Sequence, residues 1–590
     1  MPATAPRAPA PPRPSSSPST APAQPSPTAA SRSRAPPAGA PSPGPAGPRS
    51  RERASRALEP LRPGTTPRFR CGKPGGRTGG TSGARSMGRD QTPPAPREVE
   101  LKLETDEAGL AALRAHPAFE GAAVKALHAT YFDTPDRELR KAGISLRVRR
   151  SGDRRIQTVK AGGRAGAGLF DRDEWERDVT GDQPDLSGLD DGPVGDLLAD
   201  VAGRIAPAFT VHVERTTAEV ARGEAAAEVT LDEGVVEAGG REEPVAEVEI
   251  ELRHGTVADL FAIARRLSEA APLRLGIRTK ADRGYALLAG KPPKGVKSPA
   301  PHVTPGMSAG EGFQAIARGC LAHLLRNEPA LRLARDPDAV HQMRVAMRRL
   351  RAAISLHKPI LADERRDAVA AEVKWAASEL GDARDLDVFI ARTLQPALKA
   401  NPDEEDLAGF LQRLEGERAR AYERALAALR SPRFRAMLLD LAEWVEAGPW
   451  LDGEDEARDG PVETFAAGLL GRRAKRLVKR GARLADMEPE PRHELRIAVK
   501  KLRYAVEFFT PAFEGRKAAR RAKAYLGALE RLQEHLGDLN DLAVGRARLA
   551  GEPHASRLDP LLFGRVDESR MLAEAVDAHD DLADARRFWT

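Results

Sequence analysis

The run Glu98-Val99-Glu100-Leu101-Lys102-Leu103 alternates charged and apolar residues. A period of two is that of a β-strand, so Glu98, Glu100 and Lys102 share one face and Val99, Leu101 and Leu103 the other. Two acids and an amine on one strand face have two readings. Turned to water, they are a solvated sheet surface. Turned into a barrel, the carboxylates stay ionised only by sharing a cation, and the lysine needs an anion. Later strands decide. Residues 245–252 repeat the alternation, with Glu247, Glu249 and Glu251 opposite Val248, Ile250 and Leu252. Residues 145–149 set Arg147 and Arg149 opposite Leu146 and Val148. Acidic faces at both ends of one segment, with basic faces between, favour a charged interior inside an apolar jacket.

Outward from these strands, residues 97–291 read as one mainly stranded domain. Further strands are expected at 126–132, ahead of the turn Asp133-Thr134-Pro135, and at 156–160, 170–179, 210–220 and 225–231, with a last one near 273–280. A glycine-rich turn falls at 162–168, and short helices at 107–115 and 256–270.

Five stretches together resemble the CYTH domains, the triphosphate tunnel metalloenzymes: Glu98 to Lys102, Thr130-Tyr131-Phe132-Asp133-Thr134, Leu146-Arg147-Val148-Arg149, Glu247-Val248-Glu249 and Lys280-Ala281-Asp282-Arg283-Gly284-Tyr285. The resemblance implies an antiparallel eight-stranded β-tunnel of α+β class that binds a triphosphate and a divalent metal. Its members include inorganic triphosphatases, thiamine triphosphatases and one class of adenylate cyclase. On the matching positions it implies triphosphate binding by Arg147, Arg149, Lys160, Arg172, Arg215, Lys280 and Arg283. Arginine grips phosphate oxygens in pairs and lysine supplies a point charge. Mg²⁺ or Mn²⁺ takes oxygen ligands, which points to Glu98, Glu100, Glu247 and Glu249, with Glu228 and Asp232 as weaker candidates. The reaction expected is attack of an oriented water on the terminal phosphorus, with Lys102, Glu98 and Glu100 as catalytic groups. Lys102 either orients or activates the water, or holds a phosphate.

Residues 292–306 read as a linker, and Ser308-Ala309-Gly310-Glu311 is a capping box that opens a helix. From 307 to 585 the period is helical, with an internal repeat. His341-x2-Arg344-x3-Arg348-Arg349-Leu350-Arg351 returns as His493-x2-Arg496-x3-Lys500-Lys501-Leu502-Arg503, and Leu380-Gly381-Asp382-x2-Asp385-Leu386 returns as Leu536-Gly537-Asp538-x2-Asp541-Leu542. Two matches in the same order indicate an all-α domain of two duplicated helical bundles. His341, Arg344, Arg348 and Arg351 fall in one helical stripe beside Met343, Met347, Leu350 and Ile354; His493, Arg496, Lys500 and Arg503 do the same beside Leu495, Val499, Leu502 and Val506. Neither stripe holds the acids an exposed helix intersperses. This domain resembles CHAD, the histidine-containing α-helical family, which implies binding of inorganic polyphosphate between the two halves by those eight residues. Two lone histidines among arginines suit phosphate hydrogen bonding better than metal binding.

Charge supports local anion sites rather than a nucleic-acid coat. Of 93 basic and 86 acidic residues, 16 and 3 fall in residues 1–97, leaving 77 and 83 beyond. Residues 1–96, rich in Pro, Ala, Ser, Gly and Arg, are expected to be a disordered tail, with Met87 as an alternative start. Only Cys71 and Cys320 are present, which fits a reducing, cytoplasmic setting, and no apolar run suggests a membrane span. The function expected is metal-dependent hydrolysis of inorganic triphosphate with polyphosphate as a second ligand. An organic triphosphatase, an adenylate cyclase and a non-catalytic polyphosphate scaffold are the alternatives; only Trp175 and Tyr285 offer a stacking surface for a base.

Overall fold

The computed structural model describes residues 59–60, 97–166, 168–187 and 193–590. The tail expected over 1–96 lies outside them except for Glu59–Pro60, which pair with Ala221 and Val220. The strands are β1 Arg97–Glu104, β2 Ala123–Asp133, β3 Ser145–Ser151, β4 Arg154–Gly166, β5 Leu169–Asp178, β6 Ala206–Arg222, β7 Ala225–Ala238 and β8 Arg241–His254. They pair antiparallel in the order β1-β5-β4-β3-β2-β6-β7-β8, and β8 returns to β1, closing an eight-stranded barrel.

Register decides what the barrel contains, because residues directly opposite across a ladder project to the same face. Lys102 lies opposite Glu249, Glu100 opposite Glu251, Glu247 opposite Asp232, and Asp232 opposite Arg215. The alternate residues Leu101, Leu103, Leu231, Val248 and Ile250 face outward and are almost wholly buried. They are covered by helices α1 Glu107–Arg114 and α4 Val257–Leu267. On the opposite side, Leu146, Val148 and Val159 pack under α2 Glu138–Lys141 and α3 Pro193–Val201, a helix with no counterpart in the sequence reading.

The strand expected over 273–280 is reduced to Arg274–Leu275, and Lys280 instead opens a helix, α5 Lys280–Ala289. Thr279 and Asp282 form a reciprocal capping box that starts it. Within the turn expected at 162–168, β4 runs on through a register shift to Gly166, and the reversal into β5 is confined to the end of that range, where Gly166 pairs with Leu169. Towards Val236 and Val245 the interior becomes apolar, where Tyr131, Phe209 and Val211 meet Tyr285 of α5. Tyr285 packs edge-on against Phe209 and donates to Asp133 Oδ2, which also accepts from the Arg140 N–H while Oδ1 accepts from the Leu139 N–H, so the carboxylate caps α2 as well. That pairing explains why the Thr-Tyr-Phe-Asp-Thr and Arg-Gly-Tyr motifs occur together.

The helical region comprises α6 Ala309–Ala334, α7 Pro337–Leu356, α8 Arg365–Glu379, α9 Gly381–Phe389, α10 Gln395–Ala400, α11 Glu405–Arg430, α12 Pro432–Ala447 and α13 Glu456–Asp459. The second copy brings α14 Val462–Gly481, α15 Pro489–Phe509, α16 Arg516–Leu549, α17 Ala555–Phe563 and α18 Glu568–Asp584. Its α14, α15 and α16 repeat α6, α7 and the pair α8–α9, which is broken at Leu380 where α16 runs straight through. Arg349, stacked over Phe508 and ion-paired with Glu507, ties α7 to α15.

Barrel and bundles share one apolar core. Leu260, Phe261, Ile263 and Leu267 of α4 belong to the same buried cluster as the bundle residues, and α4 packs on α12. Each such side chain is worth about 1.5–3 kcal/mol when buried. The accompanying Arg265 to Asp440 and Glu443 pairs, with Arg265 37% exposed, add at most about 1 kcal/mol. Hydrophobic burial therefore dominates the junction. Residues 291–307 are tethered too: Gly295 and Val296 donate backbone N–H groups to Asp336 and Asn327.

Gly284 sets the seat of α5, since a Cβ there would lie 2.3 Å from the Phe209 ring. Gly284→Ala should cost about 1–3 kcal/mol, read as a lower urea midpoint, because a packed ring must move. An unchanged midpoint would show that α5 is not held by this contact.

Candidate functional site

The barrel interior divides into a saturated half and an unsaturated one. In the first, Glu247 has no exposed surface and accepts from Lys102, from Lys280 at 2.7 Å and from Arg283 at 3.0 Å. Glu249 accepts from Lys102, Lys280 and Arg215, each at 2.9 Å. Asp232 takes both arms of Arg215, at 2.7 and 2.6 Å, and pairs with Lys280 at 2.7 Å. Arg283 also reaches Glu104 and Glu243. Burial alone would raise Asp232, but Lys280 and Arg215 outweigh it and hold the carboxyl down at about 2. Burial likewise disfavours the Lys102 ammonium, and Glu247 and Glu249 overcome it, so that amine stays charged.

In the second half, Lys160 joins Glu98 at 2.6 Å and Glu174 at 3.2 Å, and Arg172 joins Glu100 at 2.6 Å. Arg147 makes one long contact, 3.5 Å to the Tyr131 hydroxyl, and Arg149 a 3.5 Å contact to Glu176. The Nε atoms of Arg147 and Arg172 are buried without a partner among the described residues. Arg149 is pulled down to about 10, first by neighbouring Arg147 and then by burial. Orphaned guanidinium donors and mutually repelling arginines give this half of the barrel donors suited to an anion.

The acids of this half show the converse strain. Burial raises Glu98 and Glu100, Glu249 adding to the effect on Glu100, and burial lifts Glu251 to about 7 with Glu98 and Glu228 adding repulsion. Carboxylates pushed towards their neutral form fit a divalent cation that would relieve them. Asp232, Glu247 and Glu249 also bring ligand atoms within 4.8 Å of one another, but their oxygens already accept from lysine and arginine. Of the four carboxylates expected to bind metal, Glu98 and Glu100 therefore lie on the unsaturated side, and Glu247 and Glu249 on the saturated one. Glu228 lies opposite Glu251 on the neighbouring strand, and among the described residues its ion pair is with Arg253.

All eight residues of the repeated stripes line one groove of about 2340 Å³ between the bundles. Each copy of the Leu-Gly-Asp-x2-Asp motif supplies an acid to its own stripe: Asp385 lies 3.4 Å from Arg344, and Asp541 lies 3.9 Å from Arg496. Gly381 leaves room for Arg344, whose Nη1 would meet a Cβ at 2.8 Å. Arg348 and Lys500 have no ion pair among the described residues, and the Nε atoms of Arg344, Arg348 and Arg496 are buried without partners. Burial first, then Arg496 and Arg348, pull Lys500 down to about 7, so the stripes act on each other across the groove. Burial, Arg384 and Arg348 hold His341 near 4, leaving it neutral. His493 meets Asn540 at 2.6 Å, and Arg503 is drawn towards Glu507 and Gln533. Arg351 is exposed at the rim.

Several residues of these sites carry no motif signal of their own. Glu174 sits in the barrel on a strand placed without regard to its charges, Glu104 pairs with Arg283, and Glu243 pairs with both Arg283 and Arg278. The bar to recognising them is that each is defined by a partner at least 14 residues away.

The CYTH domain family matches residues 96–285 and the CHAD domain family residues 315–550. An inorganic triphosphatase of Haemophilus influenzae is 32% identical over 162 residues, which are 27% of this chain and 45% of that protein. The chain thus spans less than half the length of that relative. An uncharacterised protein of Mycobacterium tuberculosis is 29% identical over 488 residues, 77% of this chain and 88% of its own length. Among solved structures, the CHAD domain of the plant Ricinus communis is 33% identical, covering 49% of this chain and 97% of that one with a TM-score of 0.41. A putative adenylyl cyclase from Hippeastrum, described as having a dominant triphosphatase activity, is 16% identical over 33% of this chain and 95% of its own, with a TM-score of 0.26. The charged barrel lies within the first family match and both basic stripes within the second, and the chain belongs to these families as a CYTH domain followed by a CHAD domain.

Proposed function

We propose that the barrel hydrolyses inorganic triphosphate to phosphate and diphosphate, and that the groove between the bundles binds inorganic polyphosphate. The observation that carries the first part is the unsaturated half of the barrel, where, beside Lys160, Arg147 has no ion pair among the described residues, Arg149 has one contact of 3.5 Å, and the Nε atoms of Arg147 and Arg172 have no partner. A triphosphate supplies the missing charge, and the guanidinium donors hold the oxygens of the leaving diphosphate, where negative charge develops. Glu98, Glu100 and Glu251 would hold a divalent ion, Mg²⁺ or Mn²⁺, which would supply Lewis acidity and charge neutralisation for attack of water on a phosphoanhydride. A carboxylate of Glu98 or Glu100 left free of the ion would accept the proton of that water. Lys102 stays an ammonium, so it donates to a phosphate oxygen or to the water and does not act as a base.

Lack of a base-stacking surface favours an inorganic substrate over a nucleotide or thiamine triphosphate. Trp175 packs in the outer cluster under α3, and Tyr285 is held by Asp133 and Phe209 with Arg140 over its ring at 4.6 Å. Phe170, the remaining aromatic beside the acids, already carries Arg172 at 4.5 Å.

Phosphate release from triphosphate, ATP and thiamine triphosphate, measured side by side with Mg²⁺ or Mn²⁺, tests this. Triphosphate should be cleaved fastest, chelator should abolish turnover, and Glu98→Gln should remove most activity while leaving the unfolding midpoint in place. Glu247→Gln should instead destabilise the barrel by about 3–5 kcal/mol, since it strips one partner from a buried ion cluster. Cyclic AMP among the products, or a nucleotide preference, would overturn the substrate assignment.

For the groove, Arg344→Ala or Arg496→Ala should weaken polyphosphate binding by roughly ten- to a hundredfold, as expected for losing a charge-assisted hydrogen bond. Lys500 adds a pH signature. Its amine is lowered to about 7 in the free protein, and a bound polyanion favours the charged form, so binding takes up a proton. Affinity should rise about tenfold as pH falls from 8 to 6. Lys500→Arg, charged throughout, should flatten that profile; an equally steep profile in this variant would remove Lys500 from the explanation.

A further inference from the structure

Helix α14 has a basic face that neither site uses. Between Glu463 and Asp486 the sequence holds seven cations and no acid. At 100° per residue, Arg472, Arg476 and Lys479 fall within about 60° of one another, a ridge about 10 Å long, and Arg483 follows just past the end of the helix. All four are exposed, while the helix packs through Val462, Ala466, Leu469, Leu470, Ala474 and Leu477 on its other side. Among the described residues none of the four forms an ion pair; the one pair on this helix is Arg480 with Glu494 of α15. Like charges at i,i+4 destabilise a helix, so the chain retains this ridge against its own helical stability.

The ridge is continuous with the groove. Arg480 meets Glu494 at one end of the α14–α15 pair and Phe465 meets Phe509 at the other, so the two helices run antiparallel. That arrangement sets Arg473 beside Lys501, which lines the groove with Arg351. Consistent with this placement, burial and then Arg473 and Arg351 lower Lys501, and burial with Arg476 and Arg472 lowers Arg473. The duplication sharpens the contrast. The counterpart of α14 in the first copy is α6, which lies against the barrel, with the Arg318 side chain on Gly166 and its guanidinium on Glu446. On the shift of 152 residues that relates His341 to His493, Arg472, Arg476 and Lys479 correspond to Cys320, Leu324 and Asn327, which are buried in the first copy, whereas in the second copy these positions are basic and exposed.

We propose that the α14 ridge extends the polyphosphate groove, gripping the part of a long chain that leaves it past Arg351 and Lys501. The proposal rests on the groove binding polyphosphate and adds a preference for chain length. Charge complementarity selects a linear polyanion, since the ridge offers cations in a row with no apolar or aromatic surface between them.

The test is binding of size-fractionated inorganic polyphosphate, about ten and about a hundred phosphates long, to the full chain and to a triple variant, Arg472→Gln, Arg476→Gln and Lys479→Gln. These side chains are exposed, so the thermal midpoint should not move. The variant should bind the long chain at least about tenfold more weakly, and its slope of log affinity against log salt should shrink by roughly 2 to 3. Its affinity for the short chain should stay within about twofold, because ten phosphates are accommodated by the groove cations. Arg344→Ala should weaken both lengths. Unchanged long-chain binding in the triple variant, or equal loss for both lengths, would overturn the ridge while leaving the groove standing. Absence of binding at either length in the unaltered protein would overturn both. Single-stranded RNA that competes for the ridge as well as polyphosphate of matched charge would overturn the choice of ligand.

Discussion

Glu247 is the residue on which the barrel depends. An isolated carboxylate with no access to water is prohibitively costly, and this one is stabilised by three cations drawn from two separate parts of the chain: Lys102 from the first strand, and Lys280 and Arg283 from the helix that follows the last. The cluster therefore acts as a clasp. It requires β1 and β8 to be neighbours, which closes the sheet, and it requires α5 to fold back against the interior, which blocks the apolar end. Once these charges neutralise one another, Arg147 and Arg149 on β3 are left with side-chain contacts no shorter than 3.5 Å, and the proposed anion site rests on those underused donors.

How much of this could be read from the sequence follows from how local each signal is. The charged faces of β1, β3 and β8 were legible because a strand's period of two is written in five or six residues. Closure was not, because β1 meets β5 and β8 through pairings set by long-range register, and it entered only through resemblance. Lys280 was misassigned to a strand although Thr279 and Asp282 spell a capping box; the apolar alternation just before them dominated the reading. The division of the acids was also invisible. Glu247 and Glu249 look like Glu98 and Glu100 in sequence, and only the arrival of Lys280 and Arg215 separates carboxylates that are satisfied from those that are not.

The helical half was easier, since duplication shows each feature twice. The two stripes were found from their spacing and do line one groove. What the repeat concealed was the purpose of its second motif. Asp385 and Asp541 hold the arginines of their own stripe at 3.4 and 3.9 Å, at an angle no wheel diagram contains. These weak pairs keep the guanidinium groups oriented yet incompletely satisfied, so an incoming anion finds donors already aimed and loses little in displacing the aspartates.

The shared apolar core between barrel and bundles has a kinetic meaning. Side chains on α4 are packed into the same interior as α12, and the connecting segment is hydrogen-bonded down along its length. Two sites joined in this way have a fixed bearing and a fixed separation. A polyanion in the groove cannot be carried to the barrel by a swinging arm, in the manner of enzymes whose modules hang on flexible tethers. Any exchange between the two sites must proceed through release, diffusion and recapture, so its rate would depend on the viscosity and ionic strength of the surroundings rather than on the internal motions of the chain.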